Sequence, residues 1–195
     1  LGPGDGTAPL MGYSYDASRS RWWKGTSTAA TTIQDDMAVI SRPTNGFGYR
    51  SQTVGNAVAT ATPLTVAGDS LAASGVIATM SERDYYAFAT GAGLVTLNVN
   101  VPANVHNLVP QVELLDATGT TIATAAAGAG DCVSLTTALP AGSYRLVVTS
   151  DGAYGSVGQY TVSGTTVTPQ WPAAPTDLAA TTTALGQVQL TWTDH

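Results

Sequence analysis

Few residue types in this sequence can do chemistry, and their spacing limits what that chemistry is. There are two histidines, His106 and His195, and one cysteine, Cys132. A reactive thiolate needs a base or cation beside it. No cysteine-protease signature surrounds Cys132, so a small buried residue on a strand is its expected role, and a lone cysteine closes no intramolecular disulfide. H-E-x-x-H is absent from the sequence, so no helix carries two imidazoles and a general-base glutamate at the spacing zinc hydrolases use. Glu82, Asp84 and Asp116 offer hard oxygen ligands, of which calcium takes about six to eight. They are dispersed and belong to no D-x-D-x-D-G loop, so strand-end and turn carboxylates are the competing reading. His106, between Pro102 and Asn107, reads as an exposed loop residue. Trp22 and Trp23 either line a cleft or pack a segment down. The glycine-rich stretches 91–93 and 126–130 lack the lysine of a phosphate loop.

Composition sets the frame for these residues. The chain has 195 residues, 10% of them charged, and a formal net charge of −6. An acidic chain argues against nucleic acid and anionic membrane as partners. No apolar run is long enough for a transmembrane helix, and no charged start followed by an apolar core suggests a signal peptide. With many β-branched residues and few charges, ordered β-structure is expected rather than disorder. The chain is expected to be a monomeric piece of a longer polypeptide.

The elements that would position the candidates are mostly strands. Residues 1–26 read as irregular, being rich in Gly, Pro and Ser. Residues 28–41 read as the one helix: Ile33, Met37 and Ile40 stand at helical spacing, Ser27 or Thr28 caps the start, and Pro43 ends it. Asp35 and Asp36 then fall on its solvated face. Residues 53–74 read as a linker. From Gly75 the pattern turns to period two. Tyr86 and Phe88 share one face, and Val95, Leu97, Val99 and Val101 alternate with Thr96, Asn98 and Asn100. Asp116 to Gly119 is a turn between Val112-Glu113-Leu114 and Thr121-Ile122-Ala123-Thr124. Tyr144 to Thr149 and Gln159 to Val162 complete a series of short strands, the signature of an antiparallel sandwich. Pro169, Pro172 and Pro175 stiffen a second linker, after which Val188, Leu190 and Trp192 restart a strand pattern.

Three segments resemble known families. Asp84-Tyr85-Tyr86-Ala87-Phe88 is similar to the D-Y-F-x-F strand of bacterial pre-peptidase C-terminal (PPC) domains. Val112 to Gly119 approximates their L-x-L-x-D-x-x-G hairpin, and Leu139-Pro140-Ala141-Gly142-Ser143-Tyr144-Arg145-Leu146-Val147-Val148 resembles their closing element. The resemblance covers residues 75–167 and implies a jelly-roll-like β-sandwich, non-catalytic, serving secretion, stability or substrate binding. Some relatives of that family bind calcium, which would draw on Glu82, Asp84 and Asp116. Pro9-Leu10-Met11-Gly12-Tyr13, followed by the Ile33–Ile40 segment, resembles the Met-turn and closing helix that end a metzincin-type zinc metallopeptidase domain, here residues 1–52. In that family the methionine, Met11 here, forms an apolar floor under the zinc site, and a tyrosine at the position of Tyr13 reaches the zinc or the oxyanion. The zinc ligands themselves would lie before Leu1. Residues 168–195 resemble a linker and the start of a fibronectin type III domain, with Trp192 as its core tryptophan and the truncated end frayed. Together the resemblances imply a fragment, itself inactive, of a secreted or cell-surface bacterial zinc metallopeptidase acting on protein or another extracellular polymer. The alternative is a non-enzymatic adhesin built from β-sandwich modules.

Overall fold

The computed structural model describes residues 7–12, 15–17, 19–26, 33–103, 106–128, 131–169, 175–183 and 186–193. Tyr13, His195 and the helix-cap candidates Ser27 and Thr28 lie outside them. The N-terminal part holds four three-residue strands, β1 (Thr7–Pro9), β2 (Arg19–Arg21), β3 (Lys24–Thr26) and β4 (Ile33–Asp35), and the helix α1 (Asp36–Ser41). β1 pairs with β2 in parallel and β3 with β4 antiparallel. Of the expected helix over 28–41, residues 28–32 lie outside the described residues, and the described remainder is helical only over the six residues of α1. The Asp35 side chain accepts the Ala38 N–H and so caps the start at Asp36, while Ile33 is drawn into a strand. β-branched Ile33 is at home in a strand. Arg42 turns extended ahead of Pro43, as the proline requires.

The sandwich is built from ten strands: β5 (Thr62–Pro63), β6 (Thr65–Ala67), β7 (Ser70–Ile77), β8 (Arg83–Thr90), β9 (Gly93–Asn100), β10 (Pro110–Leu115), β11 (Thr121–Ala126), β12 (Val133–Leu139), β13 (Gly142–Ser150) and β14 (Gly158–Thr165). One sheet runs β11-β10-β13-β8-β5 and the other β12-β9-β14-β7-β6. The chain crosses repeatedly between sheets, from β7 to β8 to β9 and again from β12 to β13 to β14. All pairings are antiparallel except the short β5–β8 contact. Residues 62–74, taken as linker from their Thr and Ala content, therefore supply strands to both sheets. Leu64 and Leu71 in this stretch, and Ile77 just after it, are buried.

Period-two patterning accounts for the core. Tyr86 and Phe88 of β8, Val95, Leu97 and Val99 of β9, Val112 and Leu114 of β10, Tyr144, Leu146 and Val148 of β13, and Tyr160 and Val162 of β14 form one buried cluster. Burying each aliphatic side chain contributes about 1.5–3 kcal/mol. Two glycines allow close approach. A Cβ on Gly164 would stand 2.3 Å from the Thr96 carbonyl oxygen, and one on Gly75 would stand 2.3 Å from the Tyr160 hydroxyl. Cys132 corrects the expectation of burial. Its strand begins one residue later, at Val133, and the inward positions are Val133 and Leu135, so Cys132 is exposed.

The last two strands, β15 (Thr176–Thr183) and β16 (Gln187–Thr193), form a separate antiparallel hairpin whose every described residue is exposed. Trp192 is 56% exposed and has no core around it.

Candidate functional site

The carboxylates singled out for chemistry are engaged in the sandwich and its turns. Asp84 is fully buried at the entry of β8. Its Oδ2 accepts from the Tyr160 hydroxyl at 2.6 Å and its Oδ1 from the Gln52 amide at 2.8 Å. Glu82 Oε2 accepts the backbone N–H groups of Ala78 and Thr79, closing the turn before β8, while its Oε1 is buried without a partner among the described residues. Asp116 Oδ1 accepts from Thr118 and Thr120 within the β10–β11 turn, and the Thr118 hydroxyl bond leads in holding its carboxyl below the ordinary value. The three carboxylates are not gathered: among the described residues no group of three or more His, Cys, Asp or Glu side chains converges as a metal site. The residues present therefore do not fit the calcium site drawn from them.

For zinc, too, no cluster of ligands gathers among the described residues. His106, expected as an exposed loop residue, is instead nearly buried. Its Nε2 lies 2.8 Å from Asp131 Oδ2 and its Nδ1 2.6 Å from the Pro102 carbonyl, so it ties the segment after β9 to the one before β12. Both ring nitrogens are engaged in those contacts. Met11 sits in the turn after β1, 48% exposed, with Gly12 N–H bonded to the Pro9 carbonyl. Tyr13 is among the residues not described.

The N-terminal aspartates, expected on a solvated helix face, are both engaged: Asp36 ties the N-terminal segment to itself, and Asp35 ties it to the sandwich. Asp36 is fully buried and accepts the Trp23 N–H at 3.0 Å. Asp35 Oδ1 accepts from the Tyr154 hydroxyl at 2.6 Å, and the same hydroxyl accepts the Met37 N–H at 2.9 Å. Lys24 lies 3.0 Å from Asp35 Oδ2. The Tyr154 bond leads in holding the Asp35 carboxyl down at about 2, while burial leads in pushing the Tyr154 phenol up to about 12. Trp22 packs over Gly155, where a Cβ would stand 2.7 Å from that of the tryptophan. Both tryptophans are half-buried, and both line a small hollow with Lys24 and Tyr154.

What remains uncommitted is a face rather than a cluster. A concavity of 440 Å³ lies on the outer side of the second sheet. Its floor is a register row across three strands, with Thr161 of β14 paired to Ser74 of β7 on one side and to Asn100 of β9 on the other. Gln159 and Val76 form the next row, Val101 and Pro102 one wall, and Arg50 and Thr53 the other. Down the same face, Asn98 pairs with Ser163 and Ser134, and Thr96 with Thr165 and Thr136. Most of these outward positions carry neutral donors and acceptors, with Val76 among them and Arg50 at the rim. The first sheet's outer side differs, bearing Arg83, Glu113 and Arg145, with Arg83 and Glu113 joined at 3.0 Å. Arg50 makes no hydrogen bond or ion pair among the described residues. It also lines a more apolar hollow of 280 Å³ shared by Trp22, Met37, Tyr49 and Val76. The alternation of Thr96, Asn98 and Asn100 with core valines signals this face in the sequence. Arg50, Gln159 and Thr161 carry no such signal alone, because only register brings them together.

The class that these sheets define is a two-sheet antiparallel β-sandwich, mainly β, preceded by an irregular segment with one short helix. No protein-family profile matches the chain, and no curated protein matches it. Solved structures similar to the chain include the following two. The pre-peptidase C-terminal domain of a collagenase from Bacillus anthracis shares 17% identity over 59% of this chain and 97% of its own, with a TM-score of 0.40. PliG, a periplasmic inhibitor of g-type lysozyme from Aeromonas hydrophila, shares 16% identity over 53% of this chain and 93% of its own, also at 0.40. The fold assignment rests on the strand pairing described above.

Proposed function

We propose that this chain is a non-catalytic binding and support module of a secreted or cell-surface bacterial protein, and that the parent is a multidomain zinc metallopeptidase. The observation that carries the binding role is the neutral polar face centred on Ser74, Thr161 and Asn100. Uncharged hydroxyl and amide groups at strand spacing suit a ligand that is itself an extended row of neutral donors and acceptors, such as a polypeptide backbone or a polysaccharide. The residues that chemistry would need are engaged elsewhere: Asp84 in the core, Glu82 and Asp116 in turns, His106 in a loop clamp. The accessory role follows the PPC resemblance, whose aromatic strand and closing element pair as β8 and β13. The peptidase parentage rests on the resemblance of the Pro9–Tyr13 motif and the Ile33–Ile40 segment that follows it.

Retention of the 195-residue chain on immobilised gelatin, casein and a neutral β-glucan tests the binding role. At least one matrix should retain it, and Asn100→Ala with Gln159→Ala should weaken retention about tenfold, roughly 1.4 kcal/mol. Retention on none, or retention indifferent to the double variant, would refute it. Chelator-sensitive cleavage of casein by this chain would refute the non-catalytic assignment. The coding sequence upstream of Leu1 separates peptidase from adhesin: H-E-x-x-H-x-x-G-x-x-H supports the first, and its absence leaves the second.

A further inference from the structure

Four oxygens cross the interior of the sandwich in a row: Asp84 Oδ2, Tyr160 Oη, Tyr86 Oη and the Ser74 carbonyl. The gaps are 2.6, 2.9 and 3.0 Å. Asp84 and Tyr86 belong to one sheet, Tyr160 and Ser74 to the other, so the row stitches the sheets together beneath the polar face. Three gaps need three protons, and the two phenols bring only two. If Asp84 is ionised, Tyr160 donates to it, and Tyr86 has one proton for two neighbours. One pair of oxygens then faces lone pair to lone pair at 2.9 or 3.0 Å. Asp84, Tyr86 and Tyr160 are all at most 2% exposed, where an unmatched polar contact costs most. If Asp84 carries a proton, every gap closes in one direction, from Asp84 to Tyr160 to Tyr86 to the Ser74 carbonyl, and Asp84 Oδ1 still accepts from Gln52.

We propose that the folded chain holds Asp84 as the neutral carboxylic acid, and that loss of this proton unlocks the seam between the two sheets. The module is thereby a pH-operated latch, tighter in mild acid than in mild base. No charge nearby opposes this. On its own strand Arg83 and Tyr85 point to the other face, and Arg83 is tied to Glu113 and to the Tyr85 hydroxyl. β13 presents Val148 opposite Asp84, and β14 presents Tyr160. The segment ahead of β5 presents Gln52, with Arg50 lining the groove. The Glu82 carboxylate is turned to the Ala78 and Thr79 N–H groups. Burial pushes the Asp84 carboxyl above its ordinary value, pushes Tyr86 up to about 12, and raises Tyr160 as well. A carboxyl raised in the folded state adds stability that is complete below the unfolded value, about 3.9, and is lost as pH rises through the folded value. The inference does not depend on the groove binding a ligand.

Thermal unfolding from pH 4 to 9 tests it, with Asp84→Asn beside the natural chain. Asparagine supplies the needed pattern at every pH, with Nδ2 donating to Tyr160 and Oδ1 accepting from Gln52. The natural chain should lose about 5 °C in Tm as pH rises through the Asp84 titration. Asp84→Asn should lack that step and match or exceed the natural chain at pH 8. An Asn variant several degrees less stable at pH 8 would overturn the proposal. Carbon-13 NMR titration of the Asp84 carboxyl in the natural chain decides the matter even if the variant fails to fold. A midpoint above the ordinary carboxylate range supports the latch, and one within or below it overturns it.

Discussion

Two aspartate–tyrosine pairs, each at 2.6 Å, hold this molecule at two places, and they titrate in opposite directions. Asp84 meets Tyr160 inside the sandwich, and its carboxyl is raised, with burial the leading cause. Asp35 meets Tyr154 where the N-terminal segment docks, and its carboxyl is lowered to about 2. The phenolic bond is common to both. The surroundings differ: Asp35 also accepts the Ala38 N–H and faces Lys24 at a partly exposed site, whereas Asp84 is fully buried and its bonded partners, Tyr160 and Gln52, are neutral. The same pair is therefore a charged clamp at the edge and a neutral link in the core.

Gly75→Ala should break the core link most severely, because its Cβ would stand 2.3 Å from the Tyr160 hydroxyl and 2.7 Å from that of Tyr86. A loss of ~3 kcal/mol is expected from overpacking and disrupted hydrogen bonds together, read by urea denaturation. Tyr160→Phe keeps the ring and removes the hydroxyl between Asp84 and Tyr86. It should cost about 2 kcal/mol, and a loss no larger than that of the edge variant would show that the core link has no special weight. Tyr154→Phe should cost about 1 kcal/mol and raise proteolytic cleavage within residues 19–41 while the sandwich stays intact. Acid sharpens the contrast by sign. A carboxyl lowered on folding adds stability that is complete above the unfolded value, about 3.9, and is lost as pH falls through about 2. Tryptophan fluorescence should thus report the N-terminal segment releasing between about pH 4 and pH 2, and Asp35→Asn should abolish that step. Trp192→Ala, on the exposed hairpin, should change sandwich stability by no more than about 0.5 kcal/mol.

Much of the sandwich was legible in local pattern. Val95 to Val101, the turn at Asp116 to Gly119, and Tyr144 to Val148 each show alternation or turn chemistry over a few residues, and each folds accordingly. The N-terminal helix was overcounted because Ile33, Met37 and Ile40 fit a helical period, while the Asp35 side chain, a local hydrogen-bonding competitor, set the true start. Cys132 and His106 were misplaced for a related reason. A one-residue difference in where a strand begins exchanges inside for outside, and a histidine in a polar loop is buried only if a distant aspartate closes over it.

By itself the sequence determined the class: short alternating strands, too few charges for disorder, and no histidine arrangement for zinc. It also placed Tyr86 and Phe88 in the core, because period two leaves them no other side. Only the tertiary structure decided which side chains meet. Asp84 and Tyr160 are 76 residues apart, and Asp35 and Tyr154 are 119 apart. Strand propensity acts over a few residues, whereas a hydrogen bond depends on distance in space. The crossing of the chain between two sheets brings those partners together, and the depth at which they meet sets whether the carboxyl keeps its charge.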